Sequence, residues 1–500
     1  MASDYKPIQL EKLFAGLDVI IAQDYFPVEI TGLAYDSRRV KQGDLFFAIP
    51  GYLTDGAKFI AEAVSLGANA VATQAKNNNI KNVPVIRCDN IRRIMSAVAS
   101  RFYDYPSKQL KIIGITGTNG KTTVCFLINH IMKTMGERWG NIGTVGYDTG
   151  KRLINALNTT PNSIDTQMYL AEMRDYNIDG CVMEVSSHGL IQHRCDDVKF
   201  SGAVFTNLTQ DHLDYHKDME SYFKAKSILF AELLDDDGFA VLNFDDKYYQ
   251  KIKEACRGKI LSYSTAEKTE GAKSADIIIA DKGFENNLRY FEASYKGKTI
   301  TGEMPLLGIF NLYNAGAAIA AVVSIGCDFV KAVKALQNAP QVPGRVEKIE
   351  VGQPFDIIVD YAHTPDALEN LLKGINADGD KILVFGCGGD RDKTKRPIMG
   401  KIAAQYADRM FVASDNPRTE DPQKIINDIL KGIPNNIKYT VNANRDEAIG
   451  QALASAKKGD LVIIAGKGHE DYQIVGNTRH YFSDPIVIKK HLRKMGYEGS

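Results

Sequence analysis

Lys111-Ile112-Ile113-Gly114-Ile115-Thr116 is a short apolar run that ends in Gly117-Thr118-Asn119-Gly120-Lys121-Thr122-Thr123 and leads into a helical stretch reaching about Met135. A run without polar alternation suits a strand covered on both faces, as in a parallel sheet. A glycine-rich turn between such a strand and a helix aims backbone N–H groups and the positive helix end at an anion, and Lys121 adds a mobile cation. Gly117 to Thr123 therefore reads as a phosphate-binding loop, with Thr122 or Thr123 able to offer a hydroxyl to Mg²⁺. The spacing is a variant, because Ile115 stands where the first glycine of the common loop would be.

A chain of 500 residues exceeds what one hydrophobic core can serve. Short β-rich runs around Thr31–Tyr35 and Asp44–Gly51, a helical stretch Ala57–Leu66 and the strand Ala70–Ala72 suggest a small α/β domain, residues 1–107. Strands at Lys111–Thr116, Gly180–Val185 and Gly202–Thr206, alternating with helices up to about Ala339, suggest a doubly wound central domain, residues 108–340. After a linker at Pro340–Pro343, strands at Asp356–Asp360, Lys381–Phe385, Arg409–Ala413 and Leu461–Ala465 recur between helices in a third, Rossmann-like α/β domain, residues 341–500.

Lys plus Arg and Asp plus Glu are each 61, so the net charge is zero and no general attraction to nucleic acid or an anionic membrane is expected. The 7 cysteines form no closely spaced pairs, which favours reduced core thiols over disulfides or zinc. No stretch reaches the roughly 18 apolar residues of a membrane span, and Met1–Leu10 has no apolar run behind a basic start. A cytoplasmic monomer is expected.

Glu184 ends a strand ahead of Val185-Ser186-Ser187-His188-Gly189, at the carboxyl edge where open α/β sheets bind ligands, and suits a second magnesium ligand. Asp211-His212-Leu213-Asp214-Tyr215-His216 concentrates polar groups after another strand, equally consistent with a site or with a helix cap.

Together, Thr116–Thr123, Met183–Arg194, Asp211–His216, Asp360–Asp366, Asp415–Pro422 and Gly466–Gln473 resemble the Mur ligases of peptidoglycan synthesis, most closely the MurE branch. The resemblance spans all three domains. It implies a three-domain α/β ligase in which the terminal carboxylate of UDP-N-acetylmuramoyl-L-alanyl-D-glutamate attacks the γ-phosphate of ATP, and an amino acid then displaces phosphate from the acyl phosphate. It places Lys121, Thr122, Glu184 and two Mg²⁺ ions where a carboxylate must approach a triphosphate. It also assigns the second Mg²⁺ to His212 with a carbamylated Lys226 (N6-carboxylysine), in Tyr222-Phe223-Lys224-Ala225-Lys226. The nucleotide is assigned to Gly117–Thr123 with Asn311, Asn314, Arg345, Asp360 and His363. The UDP-sugar dipeptide is assigned to Ser37, Asn158, Thr159, Thr160, Ser186, Gln192 and Arg194.

In the same family, Asp415-Asn416-Pro417-Arg418 carries the amino-acid choice, and arginine at the position of Arg418 marks addition of meso-diaminopimelate. Arg418 would pair bidentately with the distal carboxylate and Glu470 would hold the distal ammonium, with Arg391, Asp415, Asn416, Pro417 and Gly466 completing the pocket. L-Lysine lacks that carboxylate and would leave Arg418 unpaired. Alternatives are addition of L-lysine, a MurF or folylpolyglutamate synthetase type of ligase, and a P-loop protein that hydrolyses nucleotide without ligation.

Overall fold

The computed structural model describes residues 5–21, 27–51, 54–75, 80, 82–265 and 274–497; Met1–Asp4 lies outside the described residues. Three large sheets follow one another along the chain. The first has strands in the order Ile20–Ile21, Val85–Arg87, Ala70–Thr73, Asp44–Ala48 and Gly32–Ala34, parallel except for the first pair. All residues of Asp44–Ala48 and Ala70–Thr73 are buried, consistent with their apolar cores Leu45–Ala48 and Ala70–Ala72.

The second sheet has eleven described strands. Lys111–Thr116 lies between Gly180–Glu184 and Phe200–Phe205, and parallel pairing continues outward to Trp139–Ile142 on one side and through Leu234–Asn243 and Lys259–Thr265 to Ile277–Glu285 on the other. The helix Phe310–Ser324 packs on this sheet and against Lys121–Thr134, and Ala315, Gly316, Ala317, Ala318, Ala320 and Ala321 let the backbones approach closely.

The expected alternation of strands and helices up to Ala339 fails between Ile277 and Met304. There the chain runs as an antiparallel meander, Ile277–Glu285, Leu288–Tyr295 and Lys298–Met304. The tight turns explain it: Asn286 and Asn287 (φ 51° and 62°) and Lys296 and Gly297 (φ 48° and 76°) are two-residue hairpin connections with both residues left-handed. Such turns match the twist of adjacent strands.

The third sheet runs Glu347–Lys348, Asp356–Asp360, Leu461–Ala465, Lys381–Phe385, Arg409–Val412 and Thr440–Val441, with parallel pairing from Asp356–Asp360 onward. Its inner strands are buried on both faces by helices that include Pro365–Gly374, capped by the Thr364 hydroxyl, and Pro422–Leu430, capped by the Asp421 carboxylate, while the edge strand Thr440–Val441 is exposed. An antiparallel hairpin, Tyr472–Val475 with Thr478–Tyr481, stands beside it.

Arg445 and Asp484, both 0% exposed, form a bidentate pair of 2.8 Å bonds beneath this sheet, and Arg445 also donates to Ala465 O at 3.0 Å. Removing one partner strands a buried charge. Asp484→Ala is therefore expected to cost about 3–5 kcal/mol. An Arg445→Met, Asp484→Leu double variant should recover most of that loss, and thermal and urea unfolding of the variants checks both outcomes.

No helix among the described residues is long and apolar enough to cross a membrane. All seven cysteines are free.

Candidate active site

The phosphate loop leaves the interior strand Lys111–Thr116 of the eleven-stranded sheet and enters the helix Lys121–Thr134. Gly117 and Gly120 have φ of 149° and 88°, and a Cβ would fall 1.9 Å from Thr206 Oγ1 or 2.4 Å from Asn314 Oδ1. Only glycine fits either position. Thr206 Oγ1 donates to Asn119 O at 2.6 Å and the Asn119 amide donates to Asn207 Oδ1 at 2.9 Å, fixing the turn from below. Lys121 Nζ donates to the carbonyls of Gly117 and Thr118, each at 2.9 Å, and burial lowers its pKa.

Glu184, 1% exposed, accepts from Thr122 Oγ1 at 3.1 Å, Thr144 Oγ1 at 3.0 Å and Thr144 N at 2.8 Å. It makes no ion pair within 4 Å among the described residues. A buried carboxylate met only by hydroxyls and an amide is short of positive charge. With the Thr122 hydroxyl it forms a hard oxygen pair of the kind that suits Mg²⁺ sharing its shell with phosphate and water. Among the described residues there is no cluster of three or more His, Cys, Asp or Glu that could cage a metal by itself.

Across the loop, Lys226 is 2% exposed, donates to Gly117 O at 2.8 Å and lies 4.6 Å from the centre of the Tyr222 ring. Burial, with repulsion from Lys121, pulls its pKa well down. Asp211 sits 3.2 Å from His212 Nε2; burial opposes its ionisation, but His212, His363 and Lys395 outweigh that and hold its pKa at about 2. Burial lowers His212 to about 4 and His188, edge-on to His212 at 4.8 Å, to about 3, so both imidazoles are neutral near pH 7.

Asn311 and Asn314 are buried on the helix behind the loop: Asn314 Nδ2 donates to Asn311 Oδ1 at 2.8 Å, and Asn311 Nδ2 to Leu307 O at 2.6 Å. Arg345 reaches from the segment leading into the third sheet, with Nη2 donating to Thr122 Oγ1 at 3.3 Å and its guanidinium over the Tyr361 ring at 4.6 Å. Its Nε is buried with no intramolecular acceptor. Asp360 turns inward, accepting from Val346 N at 2.8 Å and Ala362 N at 2.7 Å. It thereby holds Val346 at φ 50°, a region β-branched residues avoid, beside Arg345. A further bridge joins the units: Asp366 Oδ2 accepts from Asn119 Nδ2 at 2.8 Å and Thr209 Oγ1 at 3.2 Å.

A cavity of about 920 Å³ opens between the second and third sheets. Asn158, Thr159, Ser186, Gln192, Arg194 and His212 line it from the second sheet's side, and His363, Arg391, Asp415, Asn416, Arg418, Gly466 and Glu470 from the third's. Ser37, buried at the start of a short turn in the first sheet's unit, lies outside this lining, as do Pro417 and Thr160. Thr160 is 0% exposed and acts through neighbours, with Oγ1 donating to Glu184 O at 2.9 Å and its own carbonyl accepting from Arg194 Nη1 at 2.6 Å.

On the far side of the cavity, Arg418 has φ 52° and donates through Nη1 to Gly389 O at 2.7 Å. Its backbone joins the hairpin, with Arg418 N bonded to Ile474 O at 3.0 Å and Gly476 N to Arg418 O at 2.7 Å. Burial and nearby Arg391 lower its pKa, so two guanidiniums face one space. Asn416 is fully engaged: Nδ2 donates to Glu470 Oε2 at 2.9 Å, and Oδ1 accepts from Ile474 N at 2.9 Å and Lys467 Nζ at 3.3 Å. Gly466, at φ 117°, would put a Cβ 2.7 Å from Asp415 Oδ2.

Lys467, which the motif reading passed over, is 0% exposed and donates to Glu470 Oε2 at 2.8 Å. It lies inside the quoted Gly466–Gln473 run, and a lysine between a glycine and a candidate ligand was the available signal. Asp366 likewise lies at the end of the quoted Asp360–Asp366 run, whereas Thr144 carries no comparable local signal.

The family model for the Mur ligase middle domain matches residues 115–322, that for the Mur ligase glutamate ligase domain residues 344–468, and that for the Mur ligase family catalytic domain residues 29–103. The chain is similar to the UDP-N-acetylmuramoyl-L-alanyl-D-glutamate--2,6-diaminopimelate ligase 1 of Clostridium acetobutylicum, 40% identical over 493 residues, covering 98% of this chain and 100% of that protein. The Clostridioides difficile protein named as the same ligase is 41% identical over 492 residues, covering 98% and 100%. A solved structure of a ligase of that name superposes with a TM-score of 0.66 at 32% identity, covering 98% of this chain and 100% of that chain. MurF from Acinetobacter baumannii shares the fold at TM-score 0.68 and 20% identity, covering 92% and 96%.

Proposed function

The chain belongs to the Mur ligase family, and from that premise we propose that it is the ATP-dependent ligase that adds meso-2,6-diaminopimelate to UDP-N-acetylmuramoyl-L-alanyl-D-glutamate. The observation that carries this reading is the single cavity into which Ser186, Gln192 and Arg194 enter from one sheet's edge and Arg391, Arg418 and Glu470 from the other's. We take residues 1–107 as the UDP-sugar-binding domain, 108–340 as the ATP-binding domain and 341–500 as the amino-acid-binding domain, with acceptor and nucleotide contacts shared across their borders. ATP and a UDP-linked acceptor are both substrates of the cytoplasm, where we place the enzyme.

The chemistry has two steps. The acceptor's side-chain carboxylate oxygen attacks the γ-phosphorus of ATP, the bond to ADP breaks, and an acyl phosphate forms. The amine nitrogen of meso-diaminopimelate then attacks the acyl carbon; inorganic phosphate leaves, and the nitrogen loses a proton as the amide forms. Thr122, Glu184, His212 and carbamylated Lys226 would hold Mg²⁺, which when bound withdraws negative charge from the triphosphate. Lys121 and Arg345 supply fixed cations beside the same loop, and the backbone N–H groups of Gly117–Thr123 add preorganised dipoles. Asn311 and Asn314 back the loop on the nucleotide side, with Asp360 holding the Arg345 turn and His363 reaching the cavity between phosphate and acceptor. Ser37, Asn158, Thr159, Thr160, Ser186, Gln192 and Arg194 orient the UDP-sugar dipeptide. Arg391, Asp415, Asn416, Pro417, Arg418, Gly466 and Glu470 receive the amino acid and present its reacting amine.

Phosphate release should require the UDP-linked acceptor and the amino acid together, and meso-diaminopimelate should be used at least about a hundredfold better than L-lysine, as expected for a buried pairing group left unmatched. Release from ATP alone at the full rate, or a preference for lysine, refutes the assignment.

A further inference from the structure

Glu420 and Arg396 lie outside the cavity lining, yet they grip the loops that carry Arg418 and Arg391. Arg396 is 1% exposed, and a buried cation needs close carboxylate pairing to offset its lost hydration. Its Nη2 donates to Glu420 Oε1 at 2.8 Å, and its Nη1 donates to Glu420 Oε2 and to Asp428 Oδ2, each at 3.1 Å. Glu420 Oε1 also accepts from Asp390 N at 2.7 Å. Asp390 closes the ring from the other side, accepting from Thr419 N at 3.1 Å and from Thr419 Oγ1 at 2.9 Å.

These bonds hold two strained residues against each other. Asp390 (φ 51°) and Arg418 (φ 52°) are both left-handed without being glycine, a state that persists where surrounding bonds over-determine it. The Arg418 fork leans on Gly389 O, one residue from Asp390, so its direction follows the shape of this paired loop. A bidentate arginine contact tolerates little misplacement, and a shift of about 1 Å can cost on the order of a hundredfold.

We propose that Glu420, clasped by Arg396, is a positioning residue for amino-acid selectivity, aiming the Arg418 guanidinium at the substrate's distal carboxylate from behind. The inference rests on the reading that this cavity takes meso-diaminopimelate. Glu420 touches no substrate and acts through the loop.

The test is steady-state kinetics of the full-length enzyme with Glu420→Gln, Glu420→Asp and Asp390→Ala. Glu420→Gln should raise the KM for meso-diaminopimelate about tenfold or more while kcat and the KM for ATP stay within about twofold, and its preference over L-lysine should fall by a similar factor. Glu420→Asp should recover part of the loss. Asp390→Ala removes the other half of the ring from an exposed position and should give the same KM pattern even if Glu420→Gln fails to fold. Wild-type preference for meso-diaminopimelate with an unmoved KM in Asp390→Ala, or a fall in kcat with every KM unchanged, overturns the positioning role alone. A wild-type preference for lysine instead refutes the substrate reading.

Discussion

Arg418→Lys is expected to lower kcat/KM for meso-diaminopimelate on the order of a hundred- to a thousandfold, with ATP binding and thermal stability nearly unchanged. Arg418 already spends Nη1 on Gly389 O, leaving the other edge of a rigid fork free for a carboxylate in a half-buried setting. Lysine keeps the charge but loses the planar, two-bond geometry, and its single ammonium cannot hold both the carbonyl and the carboxylate in line. The variant should narrow the gap between meso-diaminopimelate and L-lysine by weakening the former, because nothing new is offered to the latter. Kinetics with both amino acids decide it: an unchanged KM for meso-diaminopimelate removes Arg418 from the recognition site.

The second large effect concerns Lys226. Lys226→Ala is expected to cost on the order of a thousandfold in kcat, and short carboxylic acids should restore part of it. Burial and the neighbouring Lys121 favour the neutral amine, which is the form that can add to CO₂. Nitrogen attacks the carbon of CO₂ and loses a proton, and an anionic carbamate replaces the neutral amine at the floor of the site. The neutral form grows as pH rises through the depressed pKa, so activity of the wild-type enzyme should depend on CO₂ while that of the variant should not. Full activity of Lys226→Ala without added acid rejects the modification.

The parts legible in the sequence were those fixed by short stretches of chain. Gly117 and Gly120 declare their backbone by type, and the run Lys111–Thr116 declares burial on both faces by having no polar alternation. The Asn286-Asn287 and Lys296-Gly297 hairpins were equally local signals, but the β-rich stretch between them was absorbed into an assumed strand–helix rhythm. Glu184 was placed correctly at a strand end, whereas its clasp by Thr144, 40 residues away, depends on which strands become neighbours. Thr160 and Asp360 are legible as site residues from motif position, but their hydrogen-bond partners, Glu184 O and Ser186 for Thr160 and the amides of Val346 and Ala362 for Asp360, are set by the fold. Asp366 closes the Asp360–Asp366 run, but its bridging role is not legible there because its partners, Asn119 and Thr209, lie 247 and 157 positions away in the chain.

The left-handed backbone at Arg418 has a consequence for how such an enzyme can diverge. A side-chain-bearing residue there gives up about 1 kcal/mol that asparagine or glycine would largely return. Sequence drift at this position is thus biased toward asparagine and glycine, which abandon the distal carboxylate and also relax the chain. A lineage with another amino acid to incorporate could leave the arginine without first acquiring compensating mutations, while a lineage regaining it would need stability in reserve.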